Sequence, residues 1–154
     1  MTATFNSKNM GGDFTKRITV TSNDAKKAKL TLTCKGKCLV PFKGTPRHAN
    51  FRSIEDDVTP LPMTVQITRG DGDPLQLEIV RTGKPGIEGY LSEIEPGEKY
   101  ELVIAIRPPL TPGKLRSWVK LKTGVKEVPE TTIPVYANIP PGWAKSEFAS
   151  ADIR

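Results

Sequence analysis

Two thiols, one imidazole and three clusters of carboxylates are the groups in this chain whose types could do chemistry. Cys34 and Cys38 form a C-x-x-x-C spacing. On a helix that spacing could hold a metal pair. On a strand it spans about 13 Å, whereas a disulfide needs Cα atoms within about 7 Å. A bulge at Gly36 would shorten the span. No other cysteine exists, and His48 is the sole histidine. Two thiols and one imidazole fall short of a four-ligand zinc site. The expectation is a pair of buried, packing cysteines.

The carboxylates are read in the same way. Asp71-Gly72-Asp73, with Glu55-Asp56-Asp57 nearby in sequence, offers oxygens to a calcium ion. Such an ion takes six to eight oxygens from spaced acids, but here Pro74 and a strand pattern follow at once. A hairpin turn is the expectation. Arg69-Gly70-Asp71 is a tripeptide read by some adhesion receptors, and it is also ordinary turn composition. Glu93, Glu95 and Glu98 flank a Pro-Gly turn, where charge normally faces solvent. Two carboxylates on separate strands could do glycoside chemistry, and the sequence leaves their separation open. No G-x-S-x-G elbow, P-loop or H-E-x-x-H occurs. The reading is a protein that is not an enzyme, with no catalytic residues, no metal site and no cofactor.

Charge is concentrated at the front. Residues 1–45 hold nine Lys/Arg against Asp13 and Asp24, a net of +7, while residues 46–154 hold fourteen basic and fifteen acidic residues. Lys16, Arg17, Lys26, Lys27, Lys29, Lys35 and Lys37 are the candidate polyanion contacts. The competing reading is a solvated strand face whose lysines discourage edge pairing. Nucleic acid is disfavoured as a partner, because single-strand binding wants aromatic platforms. Phe5 and Phe14 sit in the apolar phase, which leaves only Phe42.

The elements that must position these groups are strands. Prolines and glycines are frequent, aromatics are sparse, and no helical stripe of useful length appears. No apolar run approaches the roughly 20 residues of a membrane span, and no export signal opens the chain. Met1–Phe5 reads as a strand end. Phe14–Thr21 and Lys29–Lys37 alternate, with Phe14, Ile18, Val20, Leu30, Leu32 and Cys34 inward. Lys16 breaks the inner pattern. Ser22-Asn23-Asp24 is turn chemistry, and Pro41–Pro46 is a linker candidate. Seven strands then follow, at His48–Ile54, Met63–Thr68, Leu75–Arg81, Ile87–Glu93, Lys99–Arg107, Lys114–Lys122 and Thr131–Ile139. Pro134 places the last at an edge or a bulge. Short strands separated by regular turns argue a sandwich.

The front of the chain also resembles its end. Shifted by about one hundred residues, Phe5 falls on Ile106, Gly12 on Gly113, Phe14 on Leu115 and Ile18 on Val119. Val20 falls on Leu121, Ser22 on Thr123, Leu32 on Ile133, Cys34 on Val135 and Cys38 on Ile139. A fixed-period match is the signature of tandem repeats. The later copy has strands ahead of the matching part and the earlier copy has none, so the expectation is a chain that opens inside a domain. The boundaries follow. Residues 1–43 are the last three strands of an incomplete immunoglobulin-like domain, and residues 44–140 are a complete seven-strand antiparallel sandwich. Residues 141–154 are a disordered tail.

The segment Gly12-Asp13-Phe14-Thr15-Lys16-Arg17-Ile18-Thr19-Val20-Thr21-Ser22-Asn23-Asp24 resembles the closing hairpin of a bacterial immunoglobulin-like family of unknown function, related to ASH and major-sperm-protein domains. Pro96–Leu102, the Pro112-Gly113 turn and Ile133–Ala137 are similar to the same region of a next repeat. The resemblance implies tandem sandwich domains in periplasmic, envelope or secreted proteins, and it brings no catalytic residues. Members often carry a cysteine segment after an early strand, whereas here both cysteines fall in a closing strand. The expected role is a structural or adhesive repeat module of a longer protein. Its partners would be the upstream part of its own array, another chain, or a second copy joined through the incomplete sheet. The alternatives are a polyanion-binding module using segment 16–43 and a carbohydrate-holding accessory domain.

Overall fold

A computed structural model describes residue 4 and residues 11–55 and 59–142. The chain divides into two compact units, Met1–Val40 and Pro41–Arg154. Every element among the described residues is a strand, and the protein is all-β.

Among its described residues, unit 1 is one long hairpin. Strand β1 (Gly12–Thr21) pairs antiparallel with β2 (Lys29–Cys38) over its whole length, from Gly12 opposite Cys38 to Thr21 opposite Lys29. Period two puts Phe14, Ile18 and Val20 on one face with Leu30, Leu32, Cys34 and Cys38. The Phe14 ring covers Gly36, where a Cβ would lie 2.8 Å from the ring edge. Asp24 closes the turn. Its Oδ1 accepts from the backbone N–H of Lys26 (2.7 Å) and Lys27 (3.2 Å). The strand expected at Met1–Phe5 falls outside the described residues, apart from residue 4.

Unit 2 is a sandwich of two four-stranded sheets, β3-β5-β8-β7 and β4-β10-β9-β6. The strands are β3 (Phe42–Thr45), β4 (Ala49–Ser53), β5 (Met63–Arg69), β6 (Glu78–Thr82), β7 (Ile87–Glu95), β8 (Lys99–Ile106), β9 (Gly113–Lys122) and β10 (Glu130–Ile139). The order is that of a constant-type immunoglobulin sandwich. The opening strand is split, with β3 beside β5 and β4 running parallel to β10. The core alternates along both inner faces. Val65, Ile67, Leu102, Ile104 and Ile106 from one sheet meet Leu115, Val119, Leu121, Ile133, Val135 and Ile139 from the other, all buried. Each such side chain stabilises the fold by about 1.5–3 kcal/mol.

Several expectations are corrected here. Phe42–Thr45, expected within a linker, is a strand, because Phe42 packs on the core and the segment completes the β5 edge. Among the described residues unit 2 therefore has eight strands rather than seven. The strand expected from Leu75 starts at Glu78, since Leu75 is buried in the loop that carries the chain from one sheet to the other. That loop joins β5 to β6 across the sandwich, so Asp71-Gly72-Asp73 is no hairpin turn. β10 lies inside its sheet, yet pairing with β4 begins only at Val135 and shifts between Tyr136 and Asn138. Pro134 thus sits at a local edge, where its missing N–H costs the ladder nothing on that side. The tail beyond residue 142 lies outside the described residues.

Candidate functional site

The carboxylates come first. Glu93 ends on a turn that it ties down itself. Its Oε1 accepts from the Gly97 N–H at 2.8 Å and from the Tyr100 hydroxyl at 2.6 Å. The same hydroxyl lies 3.0 Å from the Leu75 carbonyl. The Tyr100 hydrogen bond, and then that of Gly97, hold the Glu93 carboxyl below its ordinary value, while burial and then Glu93 push the Tyr100 phenol up. The two groups line an open cleft of about 730 Å³ with Gln76, Glu78, Leu91 and Lys122. Their shifts run in opposite directions, so near neutral pH the carboxylate is charged and the phenol neutral. Neither is poised to exchange a proton there.

Glu98 meets Arg69 at 3.0 Å. Arg69 also donates through Nη1 to the Gly72 carbonyl at 3.0 Å. The arginine of the Arg69-Gly70-Asp71 tripeptide is thus folded into its own loop instead of being displayed. Asp56 and Asp57 lie outside the described residues. Among those described, no three His, Cys, Asp or Glu side chains converge to hold a metal ion. His48 packs edge-on against Tyr136, with ring centroids 5.7 Å apart.

Cys34 and Cys38 are free thiols on the inward phase of a regular strand. Cys34 is exposed and Cys38 half-buried. The expectation that both are buried is corrected, because the apolar face they belong to has no second sheet opposite it among the described residues of unit 1.

That hairpin carries two chemically distinct faces. Arg17, Lys29, Lys35 and Lys37 share one face with five threonines and with Asp13, which lies opposite Lys37. Lys16 projects on the other, and Lys26 and Lys27 belong to the turn. The seven candidate polyanion contacts are therefore divided: four on one face, one on the opposite face, two at the tip. On the apolar face Leu30 (52%) and Leu32 (47%) are exposed, while Phe14, Ile18 and Val20 are half-buried.

The hairpin has a counterpart in unit 2. Gly12–Thr21 and Lys29–Cys38 correspond to Gly113–Lys122 and Glu130–Ile139 at one offset (113 − 12 = 101; 130 − 29 = 101). The registers agree residue by residue. Gly12 faces Cys38 as Gly113 faces Ile139, and Ile18 faces Leu32 as Val119 faces Ile133. Both opening glycines have positive φ, +82° and +106°, a conformation that disfavours any side chain.

The turns repeat as well. Ser22 N–H donates to the Ala28 carbonyl at 2.9 Å, and Thr123 N–H to that of Pro129 at 3.0 Å. The Ser22 hydroxyl donates to Lys27 O and accepts from Asp24 N–H. The Thr123 hydroxyl donates to Val128 O and accepts from Val125 N–H. The counterparts of the exposed face are core: Leu115, Val119, Leu121 and Ile133 are all buried.

Sequence reasoning missed one surface. On the outer face of β4, β10 and β9, register places Asn50, Tyr136 and Arg116 in one row and Asn138 beside Lys114 in the next. With Arg52 these residues surround a concavity of about 240 Å³. Trp118 follows on β9, with Arg81 stacked over it at 5.2 Å. The signal was present in the polar phase of Lys114–Lys122, where cations alternate with core residues.

No protein-family model matches the chain, and no curated protein matches it. Among solved structures, the chain is similar to a protein of unknown function from Porphyromonas gingivalis W83, at 16% identity and a TM-score of 0.47. That similarity covers 85% of this chain and 68% of the other.

Proposed function

We propose that this chain is a non-catalytic, structural or adhesive immunoglobulin-like repeat module of a longer envelope or secreted protein. Unit 2 is a whole repeat, and unit 1 holds the closing hairpin of another. The observation that carries this reading is the hairpin equivalence. Strand lengths, cross-strand register, the positive-φ glycine and the hydroxyl that ties the turn all recur at an offset of 101 residues. Chance reproduces one such feature easily, because hairpins are common. It does not readily reproduce all four at one offset, and duplication does.

A repeat array works by spacing and presenting surfaces, and its units fold with their own cores. The test follows from that. Residues 41–154 expressed alone should unfold cooperatively, with a melting temperature within about 3 °C of the whole chain. Loss of cooperative unfolding on removing residues 1–40 would mean that unit 2 is no independent repeat, and the reading would fall.

A second reading, binding of a polyanion, draws support from the basic face of Arg17, Lys29, Lys35 and Lys37. Within unit 2, the Arg116 and Lys114 rows lie beside Tyr136 and Trp118, so that unit offers cations and aromatic platforms of its own.

A further inference from the structure

From the equivalence of the two hairpins, we infer what the apolar face of β1–β2 binds: a six-strand set of the β3–β8 kind, contributed by a repeat other than unit 2. This rests on the repeat-module reading and adds the occupant to it. In unit 2 the matching face, on β9 and β10, is covered by the sheet β3-β5-β8-β7. The outer edges of that hairpin are also taken, β9 by β6 and β10 by β4. Among the described residues of unit 1 the sheet holds β1 and β2. Among the described residues, the same strands in the same register thus have neither the edge partners nor the opposing sheet that β3–β8 supply in the other unit.

Area argues against a second copy of the chain as the occupant. A ten-residue hairpin is about 34 Å long and about 10 Å wide, so two copies meeting through this face would bury roughly 700 Å² in all. Stable interfaces need about 1,000 Å² or more. A six-strand set covers the face and also pairs with both edges, which adds backbone hydrogen bonds to the apolar burial.

One position shapes the partner further. Lys16 occupies the place that Ser117 takes in the covered face of unit 2. The sheet that closes over β1–β2 must accommodate a long cationic side chain there in place of a hydroxyl, because burying an ammonium is costly.

The test is a tandem chain in which a second copy of residues 41–112 is joined ahead of Gly12 of the full protein, with Lys16→Ser included. Hydrogen exchange in Gly12–Thr21 and Lys29–Cys38 should slow by at least about tenfold relative to the unmodified chain, approaching Gly113–Lys122. Labelling of Cys34 by a thiol reagent should slow in parallel. Adding Ile18→Asp and Leu32→Asp should abolish both effects. A positive control carries the sequence 113–139 in place of 12–38 and tests whether the graft itself can close. A control that closes, beside a native hairpin that stays as fast-exchanging as before, overturns the inference. Protection of the hairpin in the unmodified chain overturns it too: concentration-dependent protection assigns the face to a second copy, and concentration-independent protection to the chain itself. In either case residues 41–154 that still fold alone leave the repeat-module reading standing, so the two failures can be told apart.

Discussion

Thr123 and Ser22 show how one hydroxyl does the same work in two settings. Thr123 is fully buried, with its Oγ1 satisfied on both sides by the turn that it closes. Removing it leaves the Val128 carbonyl and the Val125 N–H without their partner, so Thr123→Ala should cost about 1–3 kcal/mol in urea unfolding, and Thr123→Ser should recover most of that. Ser22→Ala, at an exposed turn where water substitutes, should cost under about 0.5 kcal/mol. Glu93 gives a pH signature. Its folded-state pKa is depressed by Tyr100 and Gly97, so its contribution is present above its unfolded pKa and is lost as pH falls through the folded one. We expect melting temperature to fall in acid less steeply for Glu93→Gln than for the parent, and parallel curves would show that the Glu93–Tyr100 contact contributes nothing. Cys34, exposed on β2, should label rapidly in the native protein. Slow labelling would mean that something covers its face.

At the scale of elements, the two hairpins are an internal experiment in burial. Ile133 and Leu32 occupy equivalent positions, but Ile133 is core and Leu32 is exposed. Ile133→Ala should therefore cost about 2–5 kcal/mol through lost transfer energy and a residual cavity, whereas Leu32→Ala should change stability by no more than about 0.5 kcal/mol. Equal costs in denaturant titrations would contradict the exposure of the β1–β2 face. The split opening strand illustrates a different rule. Phe42 and Ala49 both belong to apolar positions, yet they serve opposite sheets. The Pro46-Arg47-His48 step between them carries the chain across the sandwich. Proline there removes a ladder donor where neither sheet needs one.

Over the whole molecule, charge and structure are divided unequally. The basic excess belongs to the front of the sequence, while the packed core belongs to unit 2. Exposed cations attract any polyanion weakly, and salt screens that attraction. We expect the full chain to elute from an anionic resin at higher salt than residues 41–154, with both released below about 0.3 M. Retention of the full chain beyond that, lost on removing Arg17, Lys35 and Lys37, would favour the polyanion reading over the structural one.

The sequence by itself determined the strand class, most strand positions in unit 2 and the correspondence of front and end. These are local properties: period-two alternation with β-branched residues, glycine at positive φ and a hydroxyl beside a turn act within a few residues of themselves. It placed Glu93, Glu95 and Glu98 around a turn as solvent-facing charge, whereas Glu93 bonds Gly97 and Tyr100 and Glu98 pairs with Arg69. Only the tertiary structure decided which alternating faces are interior. Phe14–Val20 and Leu115–Leu121 carry the same pattern, but burial depends on whether a second sheet stands opposite, and no local pattern contains that information. The same reason explains the cysteines, which follow the inward phase of a strand with no second sheet opposite it among the described residues of unit 1. It explains β3 too, because a four-residue strand in a Pro/Gly context is stabilised by the β5 edge and the core beneath it rather than by its own propensity. It accounts as well for the cation and aromatic rows of Asn50, Tyr136, Arg116 and Lys114, which come from three strands distant in sequence and meet only through sheet register.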